Sequence, residues 1–501
     1  MDSWRRQPAD DFRPVTGSAS RQLDRRHAQP PSSVAAGGQA PVTTVNRFAA
    51  LDPDAQALPR PVFGAGRSLG NPMPTIMEVQ WLHNRGNPTK GLRPDIATVE
   101  SEDSLDIDYD LFGDRQLMQR ILDGKSKLGQ ALTDNHLKRA RTMTNPYDRI
   151  GKTIFINRAA VKLAEIDAAC GLTSNLPPPP SSPTSSTSTP GYPPTVIADL
   201  CSGPGGFSEY LLWRTHHDAR DDVTAVGFTQ NPPPAENVDP EYLESIRFWA
   251  DKFHPLANAA HRFVTHYGLD VNQGSGNIMD LANVHGLAAY IDSRTRGQGA
   301  MLVTSDGGIS VRGNEHRQEV LTRHLKLCEV LCALHVLARN GQLVLKVYDV
   351  ASPFMAGLVY LIHCCFRRVA LTKPLSSRPA NSERYVVAQG LLERRPANVI
   401  EALEQVHERM LSGECVSEIV NVAEMFAGGF REYLVGVNKL HAQTQAEALE
   451  ALVGALPETA DESAGGRGAC GKGAGETGLV RACLQRWKLW EHVKGGAMGG
   501  R

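Results

Sequence analysis

The sequence predicts an α/β fold in which helices cover both faces of a mostly parallel β-sheet. Three observations support this prediction. Short runs rich in β-branched residues alternate along the chain with longer segments of helical periodicity. The first strong run, 195–200, passes through a Gly/Pro cluster directly into a stretch of helix-forming residues, 207–213. A chain of 501 residues with 41% apolar composition is also long enough to bury at least one large core.

The elements of this sheet can be followed in chain order. Runs that are short, apolar and bounded by turn residues predict strands at 195–200, 223–229, 300–305, 342–348, 369–371 and 384–387. Longer periodic runs predict helices at 207–213, 316–338 and 354–366. Because ligands of such sheets bind at the carboxyl ends of the strands, we expect the functional site there.

Composition shifts mark segments outside this core. Residues 1–95 mix Pro, Gly, Arg, Ser and Ala without a sustained period and are predicted to be disordered. Residues 174–194 are predicted as a Pro/Ser-rich insertion, and 457–480 as a Gly/Ala-rich linker. Residues 396–456 have helical periodicity, which fits either an extension packed on the preceding domain or a separate helical module. Residues 481–501 are predicted as a terminal helix and tail.

Charge and cysteine content narrow the class of protein. Lys and Arg number 53 against 54 Asp and Glu, so the net charge of −1 does not by itself indicate a nucleic-acid partner. The longest nearly uncharged apolar stretch, 354–366, is shorter than the roughly 18 to 20 residues of a membrane span. The first residues show no signal peptide, so we expect no export and no membrane partner. Nine cysteines, an odd number, fit a reducing compartment rather than a disulfide framework.

A glycine-rich turn joins the first strand to the first helix. It reads Asp199-Leu200-Cys201-Ser202-Gly203-Pro204-Gly205-Gly206-Phe207. Glycines let a ligand approach the backbone closely, and the NH groups at a helix amino terminus favour an anionic or carboxylate-bearing cofactor. A packing device and a dinucleotide enzyme are the alternatives. The G-x-G-x-x-G spacing is absent, and the second strand ends at Gln230 without the acid expected for the ribose of NAD.

Four charged residues have the chemistry of a cleft. Asp306 follows a strand, and Lys346 lies inside an otherwise apolar strand, where lysines are rare unless they are paired or functional. Lys162 lies at the start of a helix before the first strand, and Glu383 precedes the last strand. Taken singly, a turn role for Asp306, a strand-end role for Lys346 and a solvated position for the other two remain open.

These residues carry a resemblance to a known family. Lys, Asp, Lys and Glu in this order, together with the Gly-Pro-Gly-Gly-Phe-Ser turn, resemble the FtsJ-like ribose 2′-O-methyltransferases. Further motifs are similar to those of the eukaryotic enzymes that methylate the first transcribed nucleotide of capped mRNA: Asn145-Pro146-Tyr147, Phe155 to Ala160, Gly205 to Tyr210, Gly357 to Leu361, Cys364-Cys365-Phe366 and Ser377 to Val387. The resemblance implies a Rossmann-like class I methyltransferase domain over residues 96–395, with a mostly parallel seven-stranded sheet.

The resemblance implies a catalytic role for all four charged residues. Lys346 would accept the proton of the ribose hydroxyl or activate that hydroxyl. We expect burial and the neighbouring Lys162 to lower the pKa of its amine. Asp306 would hold Lys346 and the hydroxyl in register. Lys162 would tune the pKa of the Lys346 amine and help to orient it, and Glu383 would anchor Lys162 by pairing.

The resemblance also implies S-adenosyl-L-methionine as cofactor. Its contacts would come from Asn157, Cys201, Ser202, Gly203, Pro204, Gly205, Gly206, Phe207, Asn277 and Ile278. Asn277 stands where the family usually has an aspartate; an amide oxygen can still accept from the adenine amino group but carries no charge. Asp199 would add orientation, or would cap neighbouring NH groups.

The segment from Lys125 to Lys162 predicts an RNA-binding face. It contains nine basic residues and two acids, which suits a phosphate backbone, although a solvated helix face is an alternative. With the resemblance, Lys125, Ser126, Lys127 and Arg141 would hold the capped 5′ end of the mRNA. His316, Arg317, Gln318 and Asn381 would line the RNA channel.

Other functions and sites are compatible with parts of this pattern. Methylation of the second cap nucleotide, of rRNA or of tRNA, and an inactive RNA-binding homologue, are the alternatives. Cys328 and Cys332, four residues apart, and His363 before Cys364 could ligate zinc, but their apolar periodicity favours core packing, so no metal is predicted. The substrate implies the nucleus. Transcription or capping machinery is an expected partner of the disordered or C-terminal segments.

Overall fold

The computed structural model describes residues 73–84, 95–102, 105, 109–129, 134–179, 194–231, 243, 247, 250–271, 273–309, 311, 314–426, 429–456 and 474–496. The predicted disorder of residues 1–72 and 85–94 lies outside the described residues. So do residues 180–193 of the predicted insertion and 457–473 of the predicted linker.

Ten strands are present in the described part of the chain: β1 (Leu82–His83), β2 (Ala97–Val99), β3 (Thr195–Leu200), β4 (Val223–Phe228), β5 (Phe263–His266), β6 (Ala300–Ser305), β7 (Leu337–Tyr348), β8 (Phe366–Thr372), β9 (Glu383–Leu391) and β10 (Cys415–Glu418). Eight form the central sheet, in the order β1-β8-β9-β7-β6-β3-β4-β5. The block from β7 to β5 is parallel, β9 runs antiparallel to β7 and β8, and β1 runs antiparallel to β8. β2 and β10 form a separate antiparallel pair.

The helices are α1 (Tyr109–Phe112), α2 (Arg115–Gly129), α3 (Asp134–Thr144), α4 (Arg158–Cys170), α5 (Gly206–His217), α6 (Ala259–Arg262), α7 (Leu281–Thr295), α8 (Gln318–Val336), α9 (Pro353–Cys365), α10 (Ala397–Leu411), α11 (Val422–Met425), α12 (Phe430–Gly454), α13 (Ala474–Arg486) and α14 (Trp490–Gly496). Short 3-10 turns lie at Pro146–Ile150, Ala250–Lys252, Pro255–Ala257 and Glu315–Arg317. The described helices include none with the length and apolar character needed to cross a membrane.

The expected α/β class and mostly parallel sheet are confirmed, but the number of strands in the sheet is eight rather than seven. The additional strand is β1, from the segment predicted to be disordered. It is only two residues long and leaves no periodic signal in the sequence. β5 was also absent from the predicted strands, because four half-buried residues at a sheet edge are too short to show a pattern.

Residues of β3 show how the sheet is covered on both faces. Val196, Ala198 and Leu200 belong to one core cluster, which also holds buried residues of α7, α8 and α9. Ile197 belongs to a second cluster with residues of α4 and α5. Because successive side chains of a strand point to opposite faces, this alternation buries both sides of β3. The carboxyl ends of the parallel strands are left to form the site.

The helical extension packs back on the sheet domain. Leu403 of α10 and Leu434 of α12 belong to the same buried cluster as β3. The Asn438 side chain of α12 accepts a hydrogen bond from Arg384 at 2.7 Å and donates to the Phe112 and Val350 carbonyls at 2.7 and 2.9 Å. A buried amide with three partners fixes the helix in place. Of the two arrangements that the sequence left open, the structure has the packed one.

Residues 73–84, here named the N-terminal strap, are ordered along the sheet edge, contrary to the predicted disorder of this part. β1 pairs Leu82 with Val369 of β8. Tyr147 donates to the Pro74 carbonyl at 2.7 Å, and Trp487 to the Thr75 carbonyl at 3.0 Å. The strap takes its order from partners distant in the sequence, which local composition does not reveal. At the other end, α13 begins inside the segment predicted as a linker.

Candidate active site

The glycine-rich turn lies at the carboxyl end of β3, in the middle of the parallel block. Gly205 has φ +110°, and a Cβ on it would lie 2.4 Å from the Phe253 ring. A Cβ on Gly206 would lie 2.1 Å from Oδ1 of Asn157. Real Cβ contacts are not this short, so only glycine fits at both positions. The turn therefore packs tightly against the loop that precedes α4.

Asp199 fixes the shape of this turn from within. It is 1% exposed, and its carboxylate accepts from the Ser202 hydroxyl at 2.6 Å, the Ser208 hydroxyl at 2.7 Å and the Thr304 hydroxyl at 2.7 Å. It also accepts from the Ser208 NH at 3.1 Å. Burial raises the pKa of Asp199 to about 6, against the lowering effect of these hydrogen bonds. This arrangement matches the capping alternative, so we assign Asp199 to positioning the turn.

Asn157 lies beside the turn as the N-cap of α4. Its side chain accepts from the Ala159 NH at 3.0 Å. The preceding NH, that of Ile156, donates to Glu209 of α5 at 2.8 Å, and Glu209 also accepts from the His254 NH at 2.7 Å. Burial raises the pKa of Glu209 to about 7. This carboxyl thus ties the Asn157 loop and the Phe253 segment to the helix that starts at the turn.

The remaining predicted cofactor residues occupy the same end of the sheet. Cys201 has a left-handed backbone with φ 51°. Ser202 is buried and bonded to Asp199. Phe207 is 2% exposed, and its ring centroid lies 6.3 Å from that of Tyr385. In the loop after β5, the Asn277 side chain accepts from the Met279 NH at 3.1 Å. Ile278 is 4% exposed and belongs to the core, so its side chain packs inward.

Lys346 and Asp306 meet at the ends of β7 and β6. The Lys346 amine donates to the Asp306 carbonyl at 2.5 Å and lies 3.2 Å from its carboxylate. Tyr385, which is paired with Lys346 in the β7–β9 ladder, donates its hydroxyl to the same carboxylate at 2.8 Å. A Cβ on Gly308 would lie 3.4 Å from the Lys346 amine, so the backbone after Asp306 passes close by. The side chains of Lys346 and Asp306 are 11% and 22% exposed.

Lys162 and Glu383 form the second pair. The Lys162 amine donates to both carboxylate oxygens of Glu383, at 2.7 and 2.9 Å. Ser377 donates its hydroxyl to the same carboxylate at 2.7 Å. Glu383 pairs with Tyr348 in the β7–β9 ladder, two positions from Lys346, so the two pairs lie side by side. The structure therefore brings all four predicted catalytic residues to one place beside the glycine-rich turn.

The expected lowering of the Lys346 pKa is wrong. Burial does disfavour the ammonium, but the charge of Asp306 outweighs it, with smaller effects from Tyr348 and Glu383, and the pKa is raised. Burial also raises the pKa of Glu383, but the charges of Lys162 and Lys346 prevail and lower it to about 2. Lys346 is consequently a cation and Glu383 an anion at neutral pH.

A cavity of about 360 Å³ opens between α2, α3, the loop before β9 and α12. Four predicted RNA-binding residues line it: Lys125, Arg141, Gln318 and Asn381. The other four are not part of this lining: Ser126, Lys127, His316 and Arg317. Leu449 and Leu452 of α12 supply apolar surface to the same lining. A pocket with both cationic and apolar walls suits a nucleotide, whose phosphates and base need different partners.

Several residues that sequence reasoning missed support the site. Tyr385 holds Asp306, and its signal in the sequence was its place in the Ser377 to Val387 motif. Lys373 donates to the Asn381 side chain at 2.7 Å and to the Glu383 carbonyl at 2.7 Å, so it orients the loop between the cavity and the catalytic residues. A buried pair, Lys326 and Glu329, lies beneath the loop after Asp306, and the Lys326 amine donates to the Gly307 carbonyl at 2.8 Å.

Comparison with known proteins gives a consistent result. Residues 155–391 match the FtsJ-like methyltransferase family. The chain is 34% identical over 427 residues, 83% of its length, to the cap-specific mRNA (nucleoside-2′-O-)-methyltransferase 1 of Drosophila melanogaster, and covers 50% of that protein. The protein of the same name from Dictyostelium discoideum is 32% identical over 343 residues, with 66% of this chain and 42% of that protein covered.

The chain thus spans about half the length of the curated relatives it matches. A solved structure described as a ribosomal RNA methyltransferase from Plasmodium falciparum covers 48% of this chain and 99% of its own, at 18% identity and a TM-score of 0.30. That likeness is too slight to support a conclusion. The family match spans β3 to β9, the glycine-rich turn and the four charged residues, and residues 155–391 belong to the FtsJ-like methyltransferase family.

Proposed function

We propose that this chain transfers the methyl group of S-adenosyl-L-methionine to the ribose 2′-hydroxyl of the first nucleotide of 7-methylguanosine-capped mRNA. The observation that carries this proposal is the convergence of two amines and two carboxylates beside the glycine-rich turn, at the carboxyl ends of the parallel strands. The names of the Drosophila and Dictyostelium relatives support cap-specific ribose methylation as the reaction.

The residues around the turn fit the proposed cofactor. The N-cap of α5 is Gly205, which offers no side chain to the first NH groups of the helix. The Ser208 NH is bonded to Asp199, and the NH groups of Gly206 and Phe207 can receive a carboxylate. Asn157 and the backbone from Cys201 to Phe207 would hold the amino acid portion of the cofactor, and Asn277 the adenine. When bound, the cofactor supplies a methyl group on a positively charged sulfur, which needs a nucleophile placed in line with the carbon–sulfur bond.

The four charged residues would position the hydroxyl and remove its proton. The Lys346 ammonium would donate a hydrogen bond to the ribose oxygen and so orient the hydroxyl. When that oxygen takes the methyl group, its proton would pass to the Asp306 carboxylate, which is 22% exposed and would release the proton to water. Tyr385 holds Asp306, and the Lys162–Glu383 pair fixes the wall of the site.

The cavity lined by Lys125 and Arg141 would receive the capped end of the RNA. Gln318 and Asn381 lie between it and the catalytic residues, and Asn381 is two residues from Glu383. Cationic side chains would pair with the phosphates of the cap, while the apolar wall from α12 would contact a base. Nuclear residence is part of the proposal, because caps are completed on new transcripts. Contacts with transcription or capping machinery are proposed for residues 1–95 or the C-terminal segment.

Mass spectrometry of short RNAs tests the proposal. Capped RNA, uncapped RNA and capped RNA already methylated on its first ribose are each incubated with the protein and the methyl donor. We expect one added methyl group on the first ribose of capped RNA alone. Methylation of uncapped RNA, or of the second ribose, would contradict the proposed specificity. Lys439→Ala changes an exposed residue of α12 that is paired with Asp114; it is the surface control for variants of the catalytic lysines and should retain activity.

A further inference from the structure

A cluster of two histidines and a cysteine lies in the described part of the chain, between α8 and α10. His324 and Cys328 occupy one face of α8 at a spacing of one turn, and His407 faces them from α10. Nε2 of His324 lies 3.0 Å from Nδ1 of His407, and Sγ of Cys328 lies 3.4 Å from the same nitrogen. All three donor atoms lie within 4.8 Å of one another.

The two shorter separations are close to those of a tetrahedral metal site. Zinc bonds of about 2.0–2.1 Å to nitrogen and about 2.3 Å to sulfur place the ligand atoms of a tetrahedron roughly 3.3 to 3.6 Å apart. The observed 3.0 and 3.4 Å differ from these distances by only a few tenths of an ångström. Two imidazoles and one thiolate are also the donor set that zinc prefers over magnesium or calcium.

The outer contacts of His407 are those of a metal ligand. This residue is 1% exposed, and its side chain donates a hydrogen bond to the backbone of Met279. With Nδ1 facing His324 and Cys328, the nitrogen that donates to the backbone is Nε2, so Nδ1 presents a lone pair to the cluster. A hydrogen bond from the other ring nitrogen to a carbonyl is the usual way in which a metal-binding histidine is oriented.

We propose that His324, Cys328 and His407 form a binding site for Zn²⁺, with water as the fourth ligand. The half-buried His324 gives the ion access, and the thiol proton of Cys328 is released to water when the metal binds. The bound metal would link α8 of the methyltransferase core to α10 of the helical extension. It would also brace the loop of Met279, whose NH is held by Asn277.

Cobalt substitution tests this proposal in the full-length untagged chain. The protein is stripped with a chelator and titrated with Co²⁺, and the thiolate-to-cobalt charge-transfer absorption is followed. We expect this absorption to saturate at about one Co²⁺ per chain and to be displaced by Zn²⁺. The absorption requires a cysteine ligand, so a second cluster of His285, His335 and Glu404 cannot produce it.

Variants separate ligation from packing. Cys328→Ala should abolish the absorption, whereas Cys332→Ala, a buried cysteine one turn along the same helix and outside the cluster, should retain it. Because Cys328→Ala could unfold the chain, His324→Ala offers a less buried change and should weaken Co²⁺ binding at least about tenfold. An absorption that survives in Cys328→Ala, unchanged affinity in His324→Ala, or no absorption in the parent protein would overturn the proposal.

Discussion

Removal of the Lys162 amine tests the electrostatics of the candidate site without reference to its reaction. In Lys162→Met, Glu383 loses two hydrogen bonds, of 2.7 and 2.9 Å, but keeps Ser377 and the nearby charge of Lys346. The side chains of the pair are 18% and 11% exposed, so solvent screens their attraction only weakly. We therefore expect a measurable loss of stability.

The size of the loss follows from the pKa of Glu383. Its fall from 4.5 to about 2 in the folded protein, at about 1.4 kcal/mol per pH unit, corresponds to roughly 3 kcal/mol from all partners together. Lys162 makes the largest favourable contribution, and other partners remain in the variant. The free energy of unfolding should therefore decrease by about 1 to 2 kcal/mol at pH 7.

The sign of the pH dependence provides a second check. A carboxyl group whose pKa is depressed on folding stabilises the protein above its unfolded pKa, and this stabilisation is lost as pH falls from about 4.5 towards 2. Urea unfolding should show that the effect of Lys162→Met is reduced by roughly a third at pH 3. Lys138→Met, an exposed change on α3, is the control and should have almost no effect. Equal losses at both pH values would refute the reasoning.

Three further predictions concern the site. Lys346→Ala should abolish methyl transfer to capped RNA in a radiometric assay while calorimetry shows retained cofactor binding, and near-normal transfer by a folded variant would remove Lys346 from its assigned role. Tyr385→Phe deprives Asp306 of a 2.8 Å hydrogen bond; loss of a bond to a charged group should lower the transfer rate about tenfold, with KM for cofactor unchanged, whereas an unaltered rate would contradict the positioning role. Gly206→Ala should eliminate cofactor binding in calorimetry, because its Cβ would lie 2.1 Å from Oδ1 of Asn157. Gly436→Ala is the control, since its Cβ would meet nothing within 4 Å, and it should raise the Tm slightly. Equal cofactor binding by the two variants would show that the close packing at Gly206 does not matter.

The sequence predicted those parts of the fold whose information is local. β3, β6 and α8 each have a clear periodicity, and the turn after β3 has an unmistakable composition. β1 of the strap and β5 were missed because strands of two and four residues carry no periodic signal, and their order depends on contacts with distant segments. The packing of α12 was equally undecidable, since the partners of Asn438 come from Phe112, Val350 and Arg384.

The four charged residues of the site were found through their resemblance to a family, while their electrostatics required coordinates. Burial of Lys346 in an apolar strand correctly suggested a desolvated amine. Its pKa is nevertheless raised, because Asp306 lies 3.2 Å from it across the sheet edge. The role of Tyr385 depends on its register with Lys346, which sequence alone does not specify. Likewise, the apolar part of the cavity lining comes from Leu449 and Leu452, about 60 residues after the end of β9 in chain order.

The N-terminal strap bears on how this chain can be shortened. A fragment cut to the family boundaries, 155–391, would lose β1 and leave the edge of β8 with open backbone NH and carbonyl groups. It would also discard Tyr433, whose hydroxyl accepts from Leu371 of β8 and donates to Gln80 of the strap. The region that matches the family is thus smaller than the region whose contacts cover the sheet edge, and a trimmed fragment would be prone to aggregate through that uncovered edge.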